Sequence, residues 1–405
     1  MKKILLSALL IGATVGATAQ VAVLKEAERA MKGGKTAAEV ITVITPAFTD
    51  AETAGMAQTY FIPGKASYGE YDKMLGLKTL GQLKDGDDVK MGNLLIQGYD
   101  YFQKALPLDP VTDAKGKTKT KYTKDMIGTM SSHFADYSSA GVDMFNAQDY
   151  KGAYQLWNIF NKMGETPEIV AKLNNVPADT VFGEIYYNQA LAAWQAEMLP
   201  EALAAFKGAE SKGYTKKPLY DYAIAVATNL QDADAVLDFA KRGLALYGKE
   251  DPMYMGQVVN YYLQKKDFDT AFSVINDAIA ADPDNAQYYV IQGVLYENQE
   301  KRDQAKAAYL KAVELDPNNP QAQANYGYSI CNDAYVLAEQ SPINQAEYDK
   351  YYNETLRPVF EQAAQVLERA YELDNENMDV LKYLENIYYN LHDEAKLQDV
   401  KNRML

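Results

Sequence analysis

Along the C-terminal half of the chain, the pattern of apolar and polar positions returns every 34 residues. Asp282-Pro283 recurs as Asp316-Pro317, Ala271 as Ala305, Ala278 as Ala312, Tyr262 as Tyr296 and Gly293 as Gly327. A fixed period of this size marks an array of two-helix units, each burying its apolar face on the next. In the clearest copy, Ala286 to Asn319, the residues Tyr289, Gly293 and Tyr296 follow one another at four- and three-residue spacing, which puts them on one side of a first helix. Ala305, Tyr309 and Ala312 do the same on a second. The polar run 298–303 connects the two, and Asp316-Pro317 ends the second, because proline has no N–H to donate and disfavours helix in the residue before it. The small residues fit a close approach of two antiparallel helices, with tyrosines filling the space between one pair and the next.

Weaker copies extend the pattern outward. Met253 to Pro283 carries Val258, Tyr262, Ala271, Ile275 and Ala278 but no central glycine, and Pro218 to Gly248 carries Tyr222, Ala225, Val236, Ala240 and Gly243. Gly183 to Tyr214 carries Tyr186, Ala190, Ala202, Phe206 and Ala209, and Phe134 to Thr166 carries Tyr137, Gly141, Ala153 and Trp157. Val21 to Lys32 and Thr36 to Phe48 predict a first helical pair. Tyr60 and Gly64, then Gly98, Phe102 and Ala105, predict a second, stretched by an insertion near 68–89 that holds the polar turn 84–88. A second insertion, Ala334 to Val359, predicts two lengthened helices that turn at Ser341-Pro342, with Ser341 as cap, and kink near Pro358. Met378 to Tyr389 and His392 to Met404 predict a closing pair with a more polar outer face. The reading is all-α, about nine helix pairs, with divergent repeats over 20–180 and a regular array over 181–405. Two segments break the rhythm. Residues 165–179 hold Pro167 and Pro177 and read as a connector. Residues 113–124 hold Lys115, Lys117, Lys119, Lys121 and Lys124 and read as a solvated loop, with an anion or partner contact as the alternative.

The length of the unit and the order of its small and aromatic residues resemble the tetratricopeptide repeat. That resemblance, which covers nearly all of the chain after its first twenty residues, implies a right-handed superhelical solenoid and a function in protein interaction, with no cofactor. It also implies that first-helix residues offset from the packing set line the concave face. Here these are Tyr187, Leu191, Trp194 and Gln195, then Asn260 and Gln264, Val290, Val294 and Asn298, then Tyr328 and Asn332. Some members of the family clamp a C-terminal carboxylate with lysines and asparagines. In this chain Val290 and Ala324 stand where a lysine is wanted, so no carboxylate clamp is expected. Amide side chains suit an extended peptide backbone, and Trp194 with Tyr187 supplies anchor area.

Composition narrows the rest. The 405 residues are 48% hydrophobic and 23% charged, enough to bury a core. A net charge of −15 opposes binding to nucleic-acid phosphates or anionic lipid, which runs on Lys and Arg. Lys2 and Lys3 precede an apolar stretch from Ile4 to Val15, and Ala17-Thr18-Ala19 follows as a small-x-small cleavage site, so residues 1–19 read as a secretory signal removed from a periplasmic or secreted protein. No cysteine near the cut suggests lipidation, and no later apolar run is long enough to form an integral membrane anchor. Cys331, the single cysteine, is expected to be a small buried hydrophobe.

Catalytic or metal chemistry finds little footing. His133 and His392 stand 259 residues apart without companions at metal-ligand spacing and read as surface or helix-end residues. The stretch 31–36 has the glycines and lysine of a phosphate loop but lacks its spaced first glycine and preceding strand. The sequence therefore points to a non-enzymatic scaffold that binds an envelope or secreted protein or peptide. An outer-membrane-associated glycan-binding accessory and an all-helical carbohydrate-active enzyme are the alternatives.

Overall fold

The computed structural model describes residues 21–405, so the proposed signal segment lies outside the described residues. The chain divides into two compact units, one reaching Asp232 and one spanning Ala233–Leu405. The sequence division at 180/181 marks where the repeats become regular, a different property from where contacts thin out.

The first unit opens with α1 (21–32) and α2 (Ala37–Ile44). Thr36 caps α2 in a capping box, its hydroxyl accepting from the Glu39 N–H while the Glu39 carboxylate accepts from the Thr36 N–H at 2.8 Å. Next come α3 (Ala57–Thr79) and α4 (Asp87–Ala105), the stretched pair, in which the insertion proves to be extra turns on both helices. Its interior is aromatic: Tyr68 lies against Gly98 and Phe102 against Gly64, and the Tyr68 hydroxyl meets that of Tyr137 at 2.6 Å. Both phenols are fully buried and held far above their ordinary range by burial, so they act as neutral hydrogen-bonding groups. Then follow α5 (Thr123–Ser132), α6 (Phe134–Asn146), α7 (Tyr150–Gly164), the single turn α8 (Pro167–Val170), α9 (Asp179–Gln195), α10 (Leu199–Ser211) and α11 (Lys217–Asn229).

The second unit contains α12 (Ala233–Tyr247), the pairs α13 (Met253–Gln264) with α14 (Phe268–Ala281) and α15 (Ala286–Asn298) with α16 (Arg302–Leu315), then α17 (Pro320–Glu339), α18 (Gln345–Tyr351), α19 (Arg357–Leu373), α20 (Met378–Asn390) and α21 (Glu394–Arg403). Gly293 of α15 faces the fully buried Tyr309 ring of α16, the close approach that the small residue predicts. Cys331 is buried on α17 and burial pushes its thiol up, so it is a packing residue.

One turn geometry recurs between successive helices. Gln148, Glu197, Gln231, Lys266, Glu300 and His392 all adopt φ between 55 and 62°. In each case the next residue donates its N–H to a carbonyl five residues earlier, as in Met198 to Ala193 at 2.8 Å and Lys301 to Tyr296 at 2.9 Å. A left-handed conformation costs a side-chain-bearing residue roughly 1–2 kcal/mol, and the helix-closing hydrogen bond offsets it. At Asp149, Asp267 and Asp393 that same next residue caps the following helix, which makes the reversal very short.

Several expectations are corrected. The lysine-rich loop is not wholly irregular: Val111–Thr112 and Thr118–Lys119 pair as a small antiparallel hairpin. The late insertion is capped by Asn344, whose side chain accepts from the Ala346 and Glu347 N–H groups, and not by Ser341. Next to Pro358 the helix widens into one π-turn over Tyr352–Leu356, since a regular helix would drive the proline ring into the Glu354 carbonyl. Tyr288 is the buried aromatic of α15, while Tyr289 is half-buried and gives its hydroxyl to the Pro283 carbonyl. His133 does stand at a helix end, between α5 and α6, but it is buried there: its ring stacks on Tyr68 and its Nδ1 lies 2.8 Å from Asp136.

Candidate functional site

Among the expected groove residues, Tyr187, Leu191, Trp194 and Gln195 share one side of α9, being four, three and one residue apart. The opposite side of α9 is locked in place. Buried Asn161 of α7 donates to Gln189 Oε1 at 2.8 Å, and Gln189 reaches Asn158 at 3.4 Å, so the orientation of α9 is fixed by amide hydrogen bonds inside the core. The side left outward is aromatic. Trp194 is half-buried, with its ring centre 5.4 Å from that of Tyr222 on α11, and Tyr187 stacks on Tyr214 at 4.6 Å. Gln195 is exposed beside them. Burial, with Tyr214, Tyr222 and Asp221 nearby, pushes the Tyr187 phenol up to about 12, so it is neutral and able to donate or accept.

Tyr222 is the residue of this surface that the sequence assigned elsewhere. Its place in a weak repeat copy suggested packing, yet it is 38% exposed. The missed signal is spatial: Tyr222 belongs to the next first helix and reaches Trp194 across the pair boundary.

The second unit holds the remaining expected residues. Asn260 and Gln264 are exposed on α13. Val294 is half-buried and Asn298 exposed on α15, where the Asn298 amide donates to the Val294 carbonyl at 2.9 Å. Tyr328 and Asn332 lie on α17, with the Tyr328 ring 4.3 Å from Tyr383 of α20, a residue the sequence reading did not single out. Burial and the neighbouring Asp379, Tyr383 and Asp374 push the Tyr328 phenol up to about 12. Val290 does not belong to this surface. It is 1% exposed and packs with Ala305, Tyr309, Ala312 and Ala322, because the side of α15 that carries it faces neighbouring helices. Ala324 is buried as well.

Among the described residues, no group of three His, Cys, Asp or Glu side chains is placed to hold a metal ion, and no helix is long and apolar enough to cross a membrane. What this geometry offers is neutral aromatic area bordered by amides, which suits recognition through burial and backbone hydrogen bonds.

The model of the tetratricopeptide repeat family matches residues 286–319, which are α15, α16 and the turn that follows them. The chain thus carries a repeat of that family within an all-α array of helix-turn-helix units. No curated protein matches the sequence. Solved structures similar to it include MamA from Desulfovibrio magneticus RS-1, with 18% identity, 48% of this chain and 96% of that one covered, and a TM-score of 0.32. A tetratricopeptide-repeat protein from Bacteroides fragilis NCTC 9343 has 14% identity, 63% and 98% coverage and a TM-score of 0.33. Yeast Tom70 has 14% identity, 95% and 84% coverage and a TM-score of 0.41. At these scores the likenesses carry no functional information.

Proposed function

We propose that this protein is a non-catalytic scaffold of the bacterial cell envelope that holds a segment of another protein against the outward side of its first helices. The observation that carries the reading is the aromatic surface of Tyr187, Trp194 and Tyr222, held rigid from behind by the Asn161–Gln189 lock. Aromatic side chains fixed in this way offer contact area at small entropic cost and are common anchors of protein interfaces. The exposed Gln195 amide beside that surface suits the backbone of an extended segment. The envelope location rests on the signal-like pattern of residues 1–19, and the absence of a catalytic role rests on the scarcity of residues suited to chemistry.

The test uses the protein without residues 1–19, with its partner captured by crosslinking in the producing cell and then purified. Trp194→Ala combined with Tyr222→Ala is expected to weaken that pair at least tenfold, since truncating two interface anchors costs about 2 kcal/mol or more. The far-UV circular dichroism should stay unchanged, because both rings are partly exposed. Unaltered affinity would remove this surface from the function, and a glycan ligand lost in the same variant would replace the protein partner.

A further inference from the structure

The lysine-rich hairpin is the one motif that the protein-binding reading leaves without a role, and its surroundings are unusual for so acidic a chain. Lys121 and Lys124 line a cleft of about 580 Å³ together with Lys172 from the segment after α8, and Gly128, Thr129 and Ser132 of α5 complete its wall. All three lysines are exposed, as are Lys115, Lys117 and Lys119 on the adjoining hairpin.

The nearby carboxylates are mostly committed elsewhere: Glu28 pairs with Lys32 at 2.7 Å, although it and Asp109 also act on Lys121 through charge. Asp109 is 4% exposed and accepts from the N–H groups of Lys121, Tyr122 and Thr123 and from the Thr123 hydroxyl, at 2.7 to 3.2 Å. Burial pushes its carboxyl up, but these hydrogen bonds together outweigh burial and hold it below its ordinary value, so it is charged and turned inward. Asp113 accepts from the Lys115 and Lys117 N–H groups and shapes the hairpin turn. Asp125, the only carboxylate lining the cleft, is matched by Lys65 at 2.7 Å, and Lys65 also reaches Thr129 at 3.0 Å. Among the described residues, none of the six lysines of the hairpin and cleft forms a direct ion pair, and what sets them apart from other unpaired lysines is that three of them line one cleft.

Like charges gathered with few counter-ions repel one another, and an incoming anion relieves that repulsion at several points at once. We infer that the cleft lined by Lys121, Lys124 and Lys172, extended by the hairpin lysines, is a binding site for a multiply charged phosphate-type anion. The site is separate from the Trp194 surface and does not rest on the protein-binding reading. The anion can be a soluble polyphosphorylated molecule or the phosphate of a lipid headgroup, and the test separates the two.

The protein without residues 1–19 is titrated with inorganic tripolyphosphate by calorimetry. In parallel it is sedimented with vesicles of phosphatidylcholine mixed with phosphatidylglycerol, and with phosphatidylcholine alone. Binding in either anionic arm is expected, weakening about tenfold or more as salt rises from low to several-fold physiological concentration. Tripolyphosphate binding assigns a soluble source, and binding to anionic vesicles alone assigns the headgroup. The variant Lys121→Gln/Lys124→Gln/Lys172→Gln is expected to lose at least tenfold in affinity with an unchanged circular dichroism spectrum, while Lys151→Gln/Lys207→Gln/Lys350→Gln, which removes three other exposed lysines, retains it. Absence of binding in both arms, or equal losses in the two variants, would overturn the assignment.

Discussion

Gly293→Ala is expected to destabilise the C-terminal unit by about 1–3 kcal/mol, although alanine in a helix is favoured over glycine by about 1 kcal/mol. A Cβ at Gly293 would fall 2.3 Å from Cε1 and 2.6 Å from Cδ1 of Tyr309. That ring is fully buried among Val290, Ala305, Ala312 and Ala322 and has no open side toward which to move. Removing the ring reverses the sign. Tyr309→Ala alone should cost about 3–5 kcal/mol, as truncation of a buried aromatic does. In that background the clash with the ring is gone and Gly293→Ala should become neutral or stabilising by up to about 1 kcal/mol. Urea denaturation of the four proteins, followed by circular dichroism, measures the cycle. A Gly293→Ala variant as stable as the parent, or a cycle that adds without coupling, means the two helices do not meet at this point.

Trp157→Ala is expected to cost about 3–5 kcal/mol in the N-terminal unit. The indole is 3% exposed and lies over Gly141, where a Cβ would come within 2.4 Å of Nε1, and its N–H donates to the Ser138 carbonyl at 3.2 Å. Truncation therefore opens a cavity between α6 and α7 and removes that second hydrogen bond to the helical carbonyl. Phe at this position keeps most of the ring volume and should recover more than half of the loss, the remainder being the hydrogen bond, worth about 1 kcal/mol. Trp157 and Trp194 are the only tryptophans, so in both variants the fluorescence of Trp194 alone reports unfolding on the α9 side of the unit. A loss below about 1 kcal/mol for the alanine variant would mean that this pair is not held by the indole.

The two residues at issue were legible because packing leaves a spaced trace. Gly293 opposite Tyr309 and Gly141 opposite Trp157 follow from the demand for a small residue wherever two helices converge. What failed to register follows different rules. The tight turns at Gln148, Glu197, Gln231, Lys266, Glu300 and His392 are left-handed without glycine, so they carry none of the usual marks of such a turn. The hairpin strands at Val111 and Thr118 are two residues each, too short for any alternation to show. Val290 was misplaced because its side of α15 turns into the core: Val294, one turn further on, packs against the same cluster but stays half-buried. Surface membership suffers most, since it depends on neighbours distant in sequence: Tyr222 beside Trp194 and Tyr383 beside Tyr328 are contacts between different pairs.

Position-specific crosslinking puts the central claim, that the outward side of α9 grips another protein, to the most direct test. A photoreactive side chain is placed at Leu191 or Gln195 and, as control, at the exposed Lys207 of α10. Illumination of the producing cells should join one discrete partner to the α9 positions and nothing to the control. No adduct at α9, or the same adducts from all three positions, would contradict the account.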